Sequence, residues 1–114
     1  MDATSPVLIN KALDGLSLRM MATARNVANA NSPNFQPARV NFEAALKAAA
    51  GRGPGAIARV VPSFAQEASV TGSNEMRLDL ELATASETAA RYTALVDLLG
   101  RQMQISRIVF SGGQ

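Results

Sequence analysis

The chain has 114 residues, of which 47% are hydrophobic and 18% are charged, and its formal net charge is +2. This length allows one domain at most, and the composition argues against wholesale disorder. The chain contains no Cys and no His, which excludes disulfides, thiolate metal sites and imidazole bases or ligands. Its Lys and Arg residues are scattered, without a basic run or interleaved aromatic residues, so nucleic acid is not expected as a partner.

Neither a membrane span nor a signal peptide is expected. The sequence contains no apolar run that approaches the roughly 18 residues of a membrane span. Charged residues punctuate the first 25 positions, so a basic start followed by an unbroken apolar block is missing. If the chain leaves the cytoplasm, we expect it to do so without a cleaved signal peptide.

The N-terminal segment is predicted to be a helix that begins with Ser5 as its N-cap and Pro6 at the first helical position. Gly15 weakens this helix by about 1 kcal/mol relative to Ala, so we expect it to be marginal in isolation. Its apolar positions lie alternately four and three residues apart and form a coiled-coil-like seam: Ile9, Leu13, Leu16, Met20, Thr23 and Val27.

The first helix is predicted to end in the Asn-rich stretch 26–35, NVANANSPNF. Asn is a poor residue for a helix interior, and Pro33 disfavours the α conformation at Ser32. Asn34 suits a turn position that needs a positive φ. The plain interpretation is a helix end followed by a turn. However, three Asn residues within six positions, followed by Phe35, form a more distinctive pattern than an ordinary helix end.

The middle of the chain is predicted to contain one short helix and one irregular segment. The helix is capped by Asn41, and its apolar positions Phe42, Leu46 and Ala49 are expected to face inward. The run GRGPG at 51–55 breaks it. Residues 56–71 follow neither the helical nor the strand period, so we expect an extended or β-like excursion there.

One long helix is predicted over residues 78–110, after a turn at 72–74 and with Glu75 near its start, where the helix dipole favours negative charge. The helix reaches about 50 Å, whereas a compact domain of this chain length is only about 35 Å across. We therefore expect it to extend beyond any globule that the chain can form, and to end at Ser111-Gly112-Gly113. Its seam positions are Leu78, Leu82, Ala85, Ala89, Tyr92, Val96, Leu99, Met103, Ser106 and Phe110.

A second apolar set begins at Leu95 and continues with Leu98, Ile105 and Val109. It is turned by roughly 100 to 150° from the seam, and a helix with two apolar sides is expected to have two neighbours. A core helix of an ordinary bundle remains an alternative at this point. The opposite face carries the acid-before-base pairs Glu87/Arg91 and Asp97/Arg101.

The remaining candidates for catalysis are carboxylates on the long helix. Asp79, Glu81, Glu87 and Asp97 lie beside basic or solvated positions, so a solvated face is favoured over an acid/base pair. The Gly-rich run 51–55 lacks the preceding buried strand and the Lys-Ser/Thr of a phosphate loop. We therefore expect a protein that is not an enzyme, with no catalytic, cofactor-binding or metal-binding residues, no cofactor and no small-molecule substrate.

Residues 26–35 resemble the signature N-[ILV]-A-N-x-x-[TS]-P-[GN]-[YF] of bacterial flagellar rod and hook proteins. Residues 74–82, NEMRLDLEL, and 91–99, RYTALVDLL, are similar to segments of the C-terminal helix in that family. The resemblance covers about 26–50 and 72–110. The chain departs from the family pattern at Asn34, Phe35, Arg77 and Thr88, where Gly, Tyr, an acidic residue and Asn are usual, and Arg77 puts any inherited polar contact there in doubt.

The resemblance implies a structural subunit of the flagellar basal body, closest to the proximal part of the rod because of the short chain and the sequence that follows Phe35. Members of the family are exported through the flagellar type III apparatus and stack helically into the rod that crosses the periplasm. Their terminal helices form the drive shaft and the export channel. The implied partners are other copies of the chain, other rod proteins, and the MS-ring/rod adaptor and export gate at the base of the rod.

Other functions remain open at this stage. One is a different axial protein, such as the C-type rod subunit. Another is a small helical adaptor or chaperone of a secretion system, which would form a soluble dimer. A DNA-binding dimer is disfavoured because no face gathers the Lys and Arg residues that phosphate contacts need.

The expected fold is mainly α, with long N- and C-terminal helices in a coiled-coil-like hairpin. The axial core is assigned to 1–35 and 74–114, and a variable middle segment to 36–73. In this hypothesis Asn26, Asn29 and Asn31 end the first helix and bond a neighbouring subunit, while Phe35 anchors the turn. The predicted interface and motif residues are Asn26, Val27, Ala28, Asn29, Ser32, Pro33, Asn34, Phe35, Leu13, Leu16, Met20, Leu78, Leu82, Tyr92, Val96, Leu99, Met103 and Phe110.

Overall fold

The computed structural model describes residues 4–67 and 74–112 and is mainly helical. The two long helices at its ends pack against each other as a hairpin, with short elements between them. The fold class predicted from the sequence is thereby confirmed. The elements are α1 (Thr4–Ala28), β1 (Ala38–Val40), α2 (Glu43–Ala50), α3 (Pro54–Ala58), β2 (Phe64–Gln66) and α4 (Asn74–Gly112).

The start of α1 differs from the prediction, whereas its end lies where the sequence predicted it. The helix already includes Ser5, which is therefore not the N-cap, and Pro6 is its third residue. Pro is tolerated there because the first-turn N–H groups have no intrahelical acceptor. At the other end the helix stops at Ala28, inside the Asn-rich stretch 26–35, although Asn26 itself is still helical. The predicted positive φ at Asn34 is confirmed at 61°.

Helix α4 runs antiparallel to α1. If the pairing of opposite residues is continued along both helices, Met103 lies opposite Thr4, the first described residue of α1. Residues 104–112, which we call the overhang, therefore project about two and a half turns beyond the described part of α1. Two hydrogen bonds define this pairing, Arg77 with Ala30 and Glu81 with Asn26. Leu98 and Leu8, which line the same groove, agree with it.

The molecule is a slender body measuring 63 × 25 × 15 Å, with a radius of gyration of 17.6 Å. A compact domain of this length would have a radius of gyration of about 13 Å. The expectation that the long helix extends beyond the globule is confirmed. Helix α4 includes Asn74, which was assigned to a turn, and continues to Gly112, while residues 72 and 73 lie outside the described part.

A two-stranded antiparallel sheet joins the middle of the chain, with Ala38 opposite Gln66 and Val40 opposite Phe64. Strand β2 falls inside the predicted β-like excursion. Strand β1 was not predicted, because three residues are too few for alternation to be visible. The sheet lies against the C-terminal half of α1 and places Ala38 and Val40 in the core.

Residues 54–58 form helix α3, where the sequence suggested first a break and then extended chain. The GRGPG run does end α2, but its Gly53, at φ 97°, is followed by Pro54 at the start of a new helix. Pro suits this first position because its fixed φ is helical. The new turn buries Ile57 completely.

Helix α2 places its apolar side as predicted, although its cap differs. Phe42, Leu46 and Ala49 are all buried in the core. Phe42, and not Asn41, occupies the N-cap position, and no side chain caps the helix there. The ring of Phe42 lies directly on α1, over Gly15.

The predicted seam has the right period on each long helix, but the buried face is rotated. On α1, Leu16 and Thr23 are buried, whereas Met20 is exposed and Ala22 and Asn26 are buried instead. On α4, Leu78, Ala85, Tyr92 and Leu99 are partly buried, but Leu82, Val96 and Met103 are 52%, 47% and 55% exposed. The side chain of Phe110 lies outside the described part.

Two polar residues account for the rotation of α4. Glu81 and Thr88 are both buried between the helices, one position before the expected Leu82 and Ala89. Glu81 is bonded by Asn26 and Arg39, and the hydroxyl of Thr88 donates to the Thr84 carbonyl at 2.7 Å. Buried polar groups are tolerated when they are hydrogen-bonded, so apolarity alone could not reveal which face is buried.

Candidate assembly surface

Asn26 of the Asn-rich motif joins three elements inside the chain. Its side-chain oxygen accepts from the Ala38 N–H at 2.8 Å, and its amide donates to the Ala38 carbonyl at 2.9 Å and to Glu81 Oε2 at 3.2 Å. The residue is 3% exposed. The hypothesis that Asn26 bonds a neighbouring subunit is therefore corrected: its amide connects α1, β1 and α4 of its own chain.

The carboxylate of Glu81 completes this buried cluster. Arg39 Nη1 lies 2.6 Å from Glu81 Oε1, and Arg39 Nη2 lies 3.3 Å from Glu67 Oε2. The Glu81 side chain is only 5% exposed, so it does not belong to the solvated face to which the sequence assigned it. A buried charge is tolerated when it is paired and hydrogen-bonded.

The rest of the motif forms a turn held by local bonds. Asn29 Nδ2 donates to the Arg25 carbonyl at 2.9 Å, and Ser32 Oγ donates to Asn29 Oδ1 at 3.3 Å. The guanidinium of Arg25 lies 5.9 Å from the centre of the Phe35 ring, an arrangement that fits an anchoring role for Phe35. Ala28, Asn31, Ser32, Pro33 and Asn34 are exposed around this turn.

Arg77, which departs from the family pattern, also supports the turn. Its Nη2 donates to the Ala30 carbonyl at 2.8 Å and so ties the first turn of α4 to the chain leaving α1. An acidic residue could not donate such a bond. The departure thus has a structural consequence at this site.

A second ionic cluster joins α1, α2 and α4. Arg19 binds both Glu43 oxygens, at 2.6 and 2.8 Å, and also donates to the Val40 carbonyl at 2.6 Å. The hydrogen bonds from Arg19 to the carboxylate, offset in part by burial, lower the pKa of Glu43 to about 2. Arg91 reaches the same carboxylate at 3.8 Å and pairs more closely with Glu87, at 2.6 Å.

An apolar stripe remains uncovered along the outer side of α4. Leu82, Ala89, Val96 and Met103 are spaced by seven residues, and all are exposed. We call these four residues the outer stripe. Seven-residue spacing is the pattern that packs against another helix, so part of the seam predicted for the hairpin faces outward.

A shallow groove of about 410 Å³ lies between α1 and Ala85 of α4. Small and flexible side chains line it: Met20, Ala24, Val27, Ala28 and Ala85, together with Thr23. Small residues let another helix approach closely. The motif residues Val27 and Ala28 therefore belong to this surface, together with Met20.

The overhang carries a further uncovered set of aliphatic side chains. Ile105, Ile108 and Val109 are 55%, 70% and 68% exposed. The predicted second apolar set is thus divided: Leu95 and Leu98 line a groove beside α1 and α2, whereas Ile105 and Val109 project past it. Contiguous exposed apolar surface of this kind marks protein interaction sites.

Within residues 4–67 and 74–112, no group of three or more acidic side chains could hold a metal ion. The helices in this part of the chain are not apolar enough, over a sufficient length, to cross a membrane.

No protein-family model matches the chain. The chain is 48% identical over 42 residues to the flagellar basal body rod protein FlgB of Borrelia hermsii. The aligned part covers 37% of this chain and 31% of that protein. This match supports the flagellar rod protein family. It favours a structural rod component. The chain spans under a third of the length of this relative.

Sequence reasoning missed the charged residues that hold these surfaces in place. The sequence assigns no role to Arg19 and Arg39, and it predicts a solvated position for Glu81. A Glu on a helix that packs against another helix needs a partner if it is buried. The partner itself, Arg39, lies on a strand too short to predict.

Proposed function

We propose that this chain is a structural subunit of the proximal rod of the bacterial flagellum, of the FlgB type, without catalysis or a cofactor. The partial similarity to a rod protein supports this proposal. The Asn-rich motif and the long C-terminal helix, to which the family resemblance applies, also lie side by side in the hairpin.

The observation that carries the proposal is the amount of surface left uncovered. The molecule exposes 7546 Å², whereas a compact protein of 11.9 kDa exposes about 5,900 Å². The excess of roughly 1,600 Å² on one molecule is about twice the area, roughly 800 Å², that each partner contributes to an interface of standard size. The outer stripe and the overhang together contain six of the large apolar side chains that are exposed, so we expect neighbouring subunits to cover them.

In this proposal the terminal helices assemble head to tail, because contacts between unlike patches build open helical arrays when they do not close into rings. The array would form the drive shaft and the export channel where the rod crosses the periplasm. Its partners would be copies of this chain, other rod proteins, and the adaptor and export gate at the MS ring. The subunit would be exported without a cleaved signal peptide.

A complementation assay with matched charge substitutions tests the proposal. In a strain lacking its own copy, Ile108→Asp is expected to be secreted but to abolish swimming, because a charge replaces an aliphatic side chain at the interface. Gln104→Asp adds the same charge to the same overhang without removing an apolar group, and swimming should persist. Normal motility with Ile108→Asp would refute the proposal.

Two further measurements separate the remaining functions. Electron microscopy of purified basal bodies is expected to show the subunit in the proximal rod, and a position elsewhere along the axis would favour the C-type subunit. In sedimentation of the purified protein, the rod proposal predicts a monomer at low concentration. A stable folded dimer would favour a secretion adaptor.

A further inference from the structure

The side chains of α4 that pack inward include a regular seam with alternate spacings of three and four residues. Its buried and half-buried members are Leu78, Glu81, Ala85, Thr88, Tyr92, Leu95, Leu99 and Gln102. Every second member is seven residues from the next, and three of these four are polar: Glu81, Thr88 and Gln102. We call this set the polar seam. Gln102 Oε1 is buried and accepts no hydrogen bond within the described residues, which is unfavourable.

A second seam on the same helix is almost entirely apolar. It shares Leu78, Ala85, Tyr92 and Leu99 with the polar seam, and its other members are the outer stripe, each one position after a member of the polar series. The centres of the two seams lie only about 50° apart around the helix axis. A small rotation of α4 would therefore exchange a polar, buried series for an apolar, exposed one.

The shallow groove offers the space that such a rotation needs. Its wall on α1 consists of Met20, Thr23, Ala24, Val27 and Ala28. Ala85 of α4 also lines the groove, and Leu82 and Ala89 flank Ala85 at three and four residues, on the same side of the helix. A rotation that carries Glu81 away from α1 therefore brings Leu82 and Ala89 into the groove.

The carboxylate of Glu81 holds α4 in its present position. Arg39 Nη1 on β1 lies 2.6 Å from Glu81 Oε1, and Asn26 Nδ2 donates to Glu81 Oε2 at 3.2 Å. Asn26 also bonds the backbone of Ala38, so β1 supplies one partner and orients the other. A buried carboxylate that loses its cationic partner is strongly unfavourable. The inward position of Glu81 is therefore favourable only while β1 lies against the helices.

We propose that α4 has two rotational positions in the hairpin, about 50° apart, and that the sheet selects between them. With β1 in place, Glu81 is buried and the outer stripe is exposed. When Arg39 is withdrawn, α4 turns, Glu81 reaches solvent, and Leu82 and Ala89 pack into the shallow groove. The rotation takes place within one chain. Its effect on assembly, where the middle segment decides whether the outer stripe is presented, rests on the proposed function.

Two adjacent thiol probes report the rotation, because the chain contains no Cys of its own. Thr88→Cys places a thiol in the polar seam, at a residue that is 2% exposed, and Ala89→Cys places one on the exposed outer stripe. Each single-Cys chain is labelled with a small maleimide. With Arg39 present, the thiol at 89 should react at least about tenfold faster than the thiol at 88, since a buried thiol reacts only when the structure opens locally.

Arg39→Met removes the cation that Glu81 needs and keeps an unbranched side chain. In this background the order of the two rates should reverse, because α4 turns to bring Glu81 to solvent. Arg39→Lys is the matched control, since it retains a cation beside Glu81, and the thiol at 89 should remain the faster. An unchanged order with Arg39→Met would refute the rotation. Fast labelling at both positions would mean that the hairpin has merely loosened, which also overturns the inference.

Thr88→Asp reaches the same rotation without changing Arg39, and it decides the question if circular dichroism shows that Arg39→Met does not fold. The probes are then Leu95→Cys in the polar seam and Val96→Cys on the outer stripe. An unpaired carboxylate at the buried position 88 should turn the helix, so that the thiol at 95 becomes the faster. Ser86→Asp adds the same charge on an exposed face and should leave the thiol at 96 the faster. The same order with both charges would refute the rotation.

The two proposals fail in different ways. If the subunit is located in basal bodies and supports swimming, but the labelling order never reverses, the rotation is wrong and the rod function stands. If the order reverses in the purified chain while the subunit is absent from basal bodies, the rotation stands and the rod function is wrong.

Discussion

Gly15 is where helix α1 accepts the ring of Phe42. A Cβ atom at this position would lie 2.5 Å from the ring, closer than atoms can pack without displacement. The sequence suggested that Gly15 merely weakens the helix. Its lack of a side chain instead lets α2 approach α1, and the ring also lies 5.0 Å from the Arg19 guanidinium.

Gly15→Ala is therefore expected to lower the free energy of unfolding by about 1 to 3 kcal/mol, because overpacking outweighs the gain in helix propensity. Gly100→Ala is the matched control, since a Cβ there meets nothing within 4 Å. The control should raise the free energy of unfolding by up to about 1 kcal/mol. Urea denaturation measures both, and stabilisation by both changes would contradict the packing of Phe42 on Gly15.

The ion pair of Arg19 with Glu43 predicts a defined pH dependence. The pKa of Glu43 falls from 4.5 to about 2 in the folded chain, so its stabilising contribution is complete above about pH 4.5 and is lost as the pH falls through 2. Glu43 is half exposed, so we expect no more than about 1 kcal/mol.

Glu43→Gln should accordingly be less stable than the parent chain at pH 7, and the difference should shrink between pH 4.5 and 2. Urea denaturation of both proteins at several pH values measures this. Comparing the two chains cancels the titration of the other carboxylates. A difference that stays constant down to pH 2 would show that the carboxylate charge contributes nothing.

Among the structural elements, α1, β1 and α4 depend on one shared amide. Asn26→Ala would leave the Ala38 N–H and carbonyl and the Glu81 carboxylate without their buried partner. We expect a loss of about 2 to 3 kcal/mol in the free energy of unfolding. Asn29→Ala, which removes only bonds within the turn, should cost less than about 1 kcal/mol. Equal losses would contradict the role assigned to Asn26.

The sequence was sufficient to predict the long helices, their period and the inward side of α2. Each depends on many residues that repeat one pattern, so a few exceptions do not obscure it. It could not predict which face of α4 is buried. The choice between Leu82 and Glu81 depends on Arg39 and Asn26, which are distant in sequence and meet Glu81 only in the folded chain.

The candidate assembly surface was also predicted only in part from the sequence. Met20, Leu82, Val96 and Met103 were chosen for the interface from their spacing, and they are exposed; whether subunits meet there remains a prediction. Leu16 was chosen in the same way and is buried within its own chain. A repeat shows that a helix face packs against something, but it does not distinguish a partner in the same chain from one in another.

For the molecule as a whole, the overhang can be removed without disturbing the hairpin. A chain that ends at Met103 loses residues 104–112, which lie beyond the described part of α1. Its melting temperature should therefore stay close to that of the full chain. Its association at high concentration should weaken, as measured by sedimentation velocity. A large fall in melting temperature would mean that the overhang folds back on its own chain.

The two tips of the molecule are chemically unlike, since one ends in a polar turn around Ser32 and the other in bare helix at Ile108. An array of parallel copies inherits this difference and has a direction. An arriving copy meets polar turns at one extremity and exposed apolar helix at the other. Elongation should therefore be faster at one extremity than at the other. A growing array can then be extended from one defined end without an additional factor.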